Sequence, residues 1–487
     1  MTLRRILSLL VALCLIAGIM VQAGAAAEEV SLEEIILQGC TYLQETDISQ
    51  FDLNHEEFDI IFDKMRHSGR VPWFVSGSYS YTYDKNTGKM LSFTPEAVLE
   101  GNIDMFAYEE GIAEILNACV LPGMTQEQIA LSLHDYLVAN TAYDSTKEKN
   151  TAYDLVVNGT TVCAGYAEAY QDLLLRCGIE CLYIVSDEMN HAWNQVKIDG
   201  VWYHADLTWD DPSPDAYGRV QHDYLLVTDE EIAAGEHPHY GWKSDIVCTD
   251  TRFSDSWWRD SKAQVCYVNS TFCYYQLTVD WANHIYYRNE DTGIQKLFYQ
   301  AQKKSVDVGS GKYFYGHQGL SLRNGRLYFN TLEAVMSIDV ETRQLQLEYA
   351  HGGNTYVSGC HVADDTLYAT FMTHDSEPRH MTQPLEPVNT HIHEYTHTVT
   401  APTCTEGGIT YSQCQCGIAF AHTPVAPVAH NFRDSLSTDG ITHTCADCGY
   451  RTAEPVIPEG YELSAVLMGT GILLLIVALF MGIKWKG

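Results

Sequence analysis

Apolar positions along this chain change period several times, and each change predicts an element. Leu32, Ile35, Ile36, Cys40 and Leu43 recur at helical spacing. A second helix opens at Asn54-x-x-Glu57, a capping-box pattern, with Phe58, Ile61, Phe62 and Met65 on one face. Tyr79, Tyr81 and Tyr83 then alternate as a strand does, and Asn86-Thr87-Gly88 turns the chain back. Thr125-x-x-Gln128 caps a helix carrying Ile129, Leu133, Tyr136 and Leu137 on one stripe. An amphipathic run begins at Cys163 and stops at Cys177-Gly178, where glycine ends a helix. Strands are predicted over 181–186, 191–198 and 201–207.

Farther along, Ile285-Tyr286-Tyr287, Leu327-Tyr328-Phe329 and Leu367-Tyr368-Ala369 each follow a turn, at intervals of 42 and 40 residues. Such a period suits antiparallel, propeller-type blades, but three are too few to close a ring, so a partial array or sheet stack is expected.

Two unbroken apolar segments bracket the chain. Arg4 and Arg5 precede an apolar run over 6–21, and Ala25-Ala26-Ala27 follows it, the form of a signal peptide cleaved near Ala27. The run 463–483 is long enough to span a bilayer, with Glu459 and Glu462 before it and Lys484 and Lys486 after it. The positive-inside rule places that short tail in the cytoplasm and the rest outside, a single-pass type I cell-membrane protein.

Composition narrows the function. With 487 residues, 46% hydrophobic and 19% charged, the chain is globular and large enough for two or three domains. Lys plus Arg number 29 against 63 Asp plus Glu, and a formal net charge of −34 repels phosphate backbones. No nucleic-acid partner is expected. The fold class expected is α+β. Its parts are a signal peptide (1–27), an α+β lead-in (28–100), a catalytic-type domain (101–247) and an antiparallel β-repeat (248–385). His/Cys-rich modules (386–452), a linker (453–462), a transmembrane helix (463–483) and a tail (484–487) follow.

Candidate chemistry lies at Cys163, His191 and Asp206. A cysteine that opens a helix has unpaired backbone N–H groups and the positive dipole end beneath it, which favour the thiolate. Asp199-Gly200 signals a two-residue hairpin, so Ile198 faces Val201 and, counting back, Trp193 faces Asp206. His191 then shares a face with Asp206 as its diagonal neighbour. Ala192, Val196, Ile198, Val201, Tyr203, Ala205 and Leu207 form the opposite, core side. Taken singly, such residues are commonly structural; the joint pattern argues against that reading here.

These residues resemble the transglutaminase-like superfamily, in its secreted bacterial branch. The likeness runs through Tyr143-Asp144, Asn158-Gly159, Cys163-x-Gly165-Tyr166-Ala167, His191-Ala192-Trp193-Asn194, Asp199-Gly200-x-Trp202-Tyr203 and Asp206-x-Thr208-Trp209-Asp210. It implies a papain-like core in which Cys163 is nucleophile, His191 general base and Asp206 orienting acid, acting on peptide or protein amides, cell-wall peptide among them. No cofactor is expected for catalysis. The family also uses an oxyanion donor upstream of the cysteine, which no position announces. Hydrolysis, Gln–Lys cross-linking and a non-catalytic adhesin or wall-binding protein on an inert scaffold all fit the family. Water is the expected acceptor, since no amine site is visible.

Near the C-terminus, His430, His443, Cys445 and Cys448 supply a four-ligand set for structural zinc. An irregular companion has Cys404, Cys414 and Cys416 with His393, or with His391 or His397 in its place. Disulfides are the alternative in an extracellular setting; a histidine beside every cysteine group favours zinc. The modules resemble His/Cys stalk repeats of Gram-positive surface proteins.

Overall fold

Asn54 and Thr125 cap their helices with the reciprocal hydrogen bonds their spacing predicts, Asn54 with Glu57 and Thr125 with Gln128. The structure, a computed structural model, describes residues 30–98, 104–213, 217–302, 305–307, 312–313, 319–350, 355–363, 365–372, 378–385, 393–437 and 440–454. The expected signal peptide and membrane span lie outside these residues. Among the described residues no helix is long and apolar enough to cross a membrane. The chain forms two units, Met1–His397 with Tyr411–His422, and Thr398–Thr410 with Thr423–Gly487.

In the first unit, helices Leu32–Tyr42 and His55–His67 pack on a three-stranded sheet, Thr46–Asp47, Met90–Ala97 and Val75–Tyr83 in spatial order. Ile36, Phe58, Phe62, Met65 and Phe93 give this lead-in its own core.

Next come helices Met105–Cys119, Gln126–Asn140, Ala152–Asn158 and Cys163–Arg176, then an antiparallel sheet ordered Cys181–Ser186, His191–Ile198, Val201–Ala205 and Leu225–Val227. Leu133, Tyr170, Leu173, Val196, Ile198 and Tyr203 bury the contact between helices and sheet. Asp199 and Gly200 both have positive φ, 49° and 86°, and Ile198 pairs with Val201. That is the tight-turn geometry whose twist matches the strands it joins.

One local expectation needs correction, and one an addition. The strand predicted over 201–207 ends at Ala205, and Leu207–Asp210 is a single helical turn capped by Asp206. The addition is that the sheet is covered on the His191 face as well. Trp193, Gln195 and His204 on it are buried, because the segment around Ile232, His239 and Cys248 folds back over the sheet.

Three antiparallel sheets of three or four strands follow, besides a two-stranded pairing of Val306–Asp307 with Lys312–Tyr313. The first runs Cys266–Asn269, Phe272–Val279, Ala282–Asn289, Gln295–Tyr299; the second Leu320–Arg323, Arg326–Asn330, Ala334–Asp339, Leu345–Ala350; the third Tyr356–Ala363, Thr366–Met372, Pro378–Pro384. They stack face to face. Leu327 and Phe329 meet Ile285 of the first sheet, while Tyr328, alternating to the other face, meets Val357, Leu367 and Phe371 of the third. The free face of the first sheet, at Cys273 and Tyr275, joins the core of the helical domain. The repeat is real but its first anchor is out of step. Leu327 and Leu367 open second strands, whereas Ile285 lies on a third strand. Hairpins of similar apolar content cannot be told apart by sequence alone.

The expected stalk also divides. Phe106, on helix Met105–Cys119, packs against Tyr395, Phe420 and His422 at ring distances of 5.5, 5.1 and 5.0 Å. The first His/Cys module is therefore docked on the helical domain by an aromatic cluster. In the second unit, Phe432–Ser437, Gly440–Cys445 and Arg451–Glu454 form an antiparallel sheet.

Candidate active site and cysteine clusters

Cys163 opens its helix after Val162, so no side chain caps the first-turn N–H groups of Cys163 and Ala164 beneath the thiol, while the Gly165 N–H donates to the Val162 carbonyl. Gly165 permits this placement: a Cβ there would lie 2.5 Å from the Thr151 carbonyl oxygen, a backbone atom that cannot step aside. Asn194 ties the neighbouring strand to the same helix, its Nδ2 donating to the Ala167 carbonyl at 3.0 Å. That strand carries His191 at its first position.

Burial disfavours a charged Cys163, but the His191 hydrogen bond, the His191 charge and the Ala192 N–H outweigh it and hold the thiol below its ordinary value. Burial likewise opposes charge on His191, and the Asp206 carboxylate and the Cys163 sulfur reverse this, raising it to about 10. Thiolate and imidazolium thus stabilise one another. His191 Nε2 donates to Asp206 Oδ2 at 2.5 Å. Asp206 is buried, and burial alone would push its pKa up; His191 and His239 instead hold it well below the usual carboxylate range.

The two oxygens of Asp206 have separate tasks. Oδ1 caps the short helix, accepting the Thr208 and Trp209 N–H groups at 3.0 and 3.4 Å. Oδ2 accepts from His191 and, at 2.7 Å, from Nε2 of buried His239. The other His239 ring nitrogen lies 2.9 Å from the His237 carbonyl oxygen. His239 comes from an irregular loop after helix Asp229–Ala234, and no periodicity or spacing pointed to it. Tyr143 is also close: pairing of 142–143 with 160–161 brings it beside the cysteine, and burial and the Cys163 charge push its phenol up.

Residues 114–207 match the family model of the transglutaminase-like superfamily. The chain carries a transglutaminase-like domain. Human kyphoscoliosis peptidase is 21% identical over 156 residues, 27% of this chain and 23% of that protein's own length. A candidate cysteine protease from Cytophaga hutchinsonii, at 13% identity, covers 46% of this chain and 79% of its own, with a TM-score of 0.19. TolB from Acinetobacter baumannii, at 12% identity, covers 60% and 68%, with a TM-score of 0.16.

Three further ligand-type groups test whether this transglutaminase-like domain holds a metal: His191/Asp206/His239, His134/Asp135/His222 and His204/Asp229/Cys248. Their nitrogen–oxygen separations are 2.5 to 2.9 Å. Those are hydrogen-bond lengths, shorter than the roughly 3.3 Å between N and O ligands around tetrahedral zinc. Each is a carboxylate–imidazole network.

The cysteine clusters differ. His393 Nδ1 lies 3.5 Å from Cys414 Sγ and 3.4 Å from Cys416 Sγ, and His393 Nε2 is 3.7 Å from Glu114. Cys404, expected in this group, is instead with His430, Cys445 and Cys448. His443, expected in that second set, is not among the gathered ligands; its ring packs 6.1 Å from that of Phe432. The loop holding Cys404 returns across 41 residues to the Cys445 turn, a closure that local spacing does not encode.

His239→Ala should lower kcat with little change in KM, since it removes a hydrogen bond to the charged Asp206. Such a bond contributes about 1.5–3 kcal/mol, equivalent to roughly 10- to 100-fold in rate. His239→Gln, which can still donate, should recover most of the loss in steady-state assays. Equal KM and kcat losses in both variants would mean that His239 only fills space.

Proposed function

We propose that this protein is a cysteine hydrolase of the transglutaminase-like type, acting outside the cell on peptide or protein amides from a membrane anchor. The reading rests most heavily on the alignment of a partly exposed Cys163, His191 and a buried Asp206, with the thiol held below and the imidazole above its ordinary value by their mutual hydrogen bond and charge. The Cys163 thiolate attacks the amide carbonyl carbon, and the C–N bond breaks as His191 gives its proton to the leaving amine. His191 then takes a proton from water as the water attacks the thioester, releasing a carboxylic acid that loses its proton to solvent and restoring the thiolate–imidazolium pair. Asp206 keeps the imidazole oriented throughout. The human relative's name, a peptidase, agrees with water as acceptor. The anchor and surface location rest on the two apolar segments and their flanking charges.

The test supplies a Gln-containing peptide in ¹⁸O-labelled water, with and without a labelled primary amine. Hydrolysis places ¹⁸O in the product carboxylate in both reactions. Incorporation of the amine in preference to ¹⁸O would make the protein a cross-linking acyltransferase. Products that do not differ between wild type and Cys163→Ala would make it an inert scaffold for binding.

A further inference from the structure

Cys404, His430, Cys445 and Cys448 come from three separate stretches of the second unit, yet their ligand atoms all lie within 4.8 Å of one another. Cys404 Sγ and Cys445 Sγ are 3.7 Å apart, and His430 Nδ1 lies 3.4 Å from Cys448 Sγ. Around tetrahedral zinc, bonds of ~2.3 Å to sulfur and ~2.05 Å to nitrogen give S···S edges of about 3.8 Å and S···N edges of about 3.6 Å. The observed spacings are those edges. Three sulfurs and one imidazole also cannot all be satisfied by a disulfide, which would leave the third cysteine over.

We infer that Cys404, His430, Cys445 and Cys448 bind one structural zinc ion in a closed Cys₃His site. Binding takes three thiolates and a neutral imidazole, so three thiol protons pass to solvent and the site carries a net charge of −1. All four positions are filled by protein, leaving none open for a reacting water. The ion's task is mechanical: it pins the loop at Cys404 and the segment at His430 to the tight turn from Cys445 to Cys448, beside the three-stranded sheet of that unit. Soft sulfur ligands in tetrahedral array select zinc over hard cations.

The inference is tested on the full chain, purified in detergent, by elemental analysis and by exchange of the bound metal for cobalt. Cys404→Ser and Cys448→Ser should each lose about one zinc per chain relative to wild type, and His443→Gln should lose none. Reading the difference from wild type leaves any metal at His393, Cys414 and Cys416 out of the count. Cobalt-loaded wild type should show tetrahedral ligand-field bands with thiolate charge transfer. Cys404→His, a ligand swap rather than a deletion, should keep its cobalt and lose part of the charge-transfer absorption. Equal zinc in wild type and Cys404→Ser would overturn the assignment. So would equal losses in His443→Gln and His430→Gln, or a disulfide among Cys404, Cys445 and Cys448 in peptides mapped without reductant.

Discussion

Cys163→Ala should abolish amide turnover, and Asp206→Asn should lower it about 10⁴-fold, as an imidazole held in the wrong tautomer does in other triads. The pH dependence carries more information than either loss. Cys163 is held below its ordinary value and His191 is raised to about 10, so the charged pair exists between those limits. As pH rises through the acid limit, alkylation of Cys163 and turnover should increase together. Above about 10 they should part: His191 has lost the proton the leaving amine needs, while the thiolate stays reactive. Alkylation rates and kcat/KM measured on the same samples check this. In His191→Ala, burial is left to push the thiol up, so alkylation near neutral pH should fall sharply. If His191→Ala changes neither quantity, the charged pair has no catalytic part.

How far this site could be read from sequence depended on how local its geometry is. The Asp199-Gly200 turn sets register by itself, which is why His191 and Asp206 could be brought together by counting. The helix start beneath Cys163 was equally local. His239 was hidden because irregular backbone has no period, and a loop's path is set by what it covers, here Trp193 and Asp206. Cys404 was hidden by loop closure, and the Ile285 repeat by the likeness of successive hairpins. His134 and Asp135 illustrate a further blind spot. They sit between the core positions Leu133 and Tyr136 and look like a polar interruption of the stripe, yet both are buried.

The largest stability effect is expected from that pair. His134 donates from Nδ1 to Asp135 at 2.9 Å and from Nε2 to Asp210, the last residue of the Asp-x-Thr-Trp-Asp motif, at 3.1 Å. His222 donates to the same Asp135 oxygen at 2.9 Å. Replacing His134 by leucine leaves buried carboxylates short of a cation, a class of change that costs about 3–5 kcal/mol. Burial alone would lower His134, but Asp135 and Asp210 outweigh it and raise it from 6.5 to about 9. A raised histidine stabilises the fold fully below its unfolded value and loses that contribution as pH rises through its folded value. Unfolding free energy should therefore fall between pH 6.5 and about 9 in wild type. Asp135, held below 3.8 by the two histidines against its burial, adds the opposite limb, lost as pH falls below that value. Denaturant titrations of wild type and His134→Leu across this range should show a steeper alkaline slope in wild type, since His191, raised to about 10, adds the same slope to both. An equal slope in both would place the effect elsewhere.

Asp135 has one more bond, and it reaches beyond the domain. Its Oδ2 accepts the Val265 N–H at 2.7 Å, just ahead of the first sheet of the stack, while Trp258 Nε1 donates to Glu127 at 3.1 Å on the same helix. Residue 247 is consequently a poor place to cut this chain. A fragment ending there would expose a carboxylate and an apolar face that the intact protein never shows to water. Domain and sheet stack are expected to melt in one cooperative step, with the Val265 amide exchanging its hydrogen only when both open. A protein built this way loses the Cys163–His191–Asp206 alignment and its β-stack in the same event.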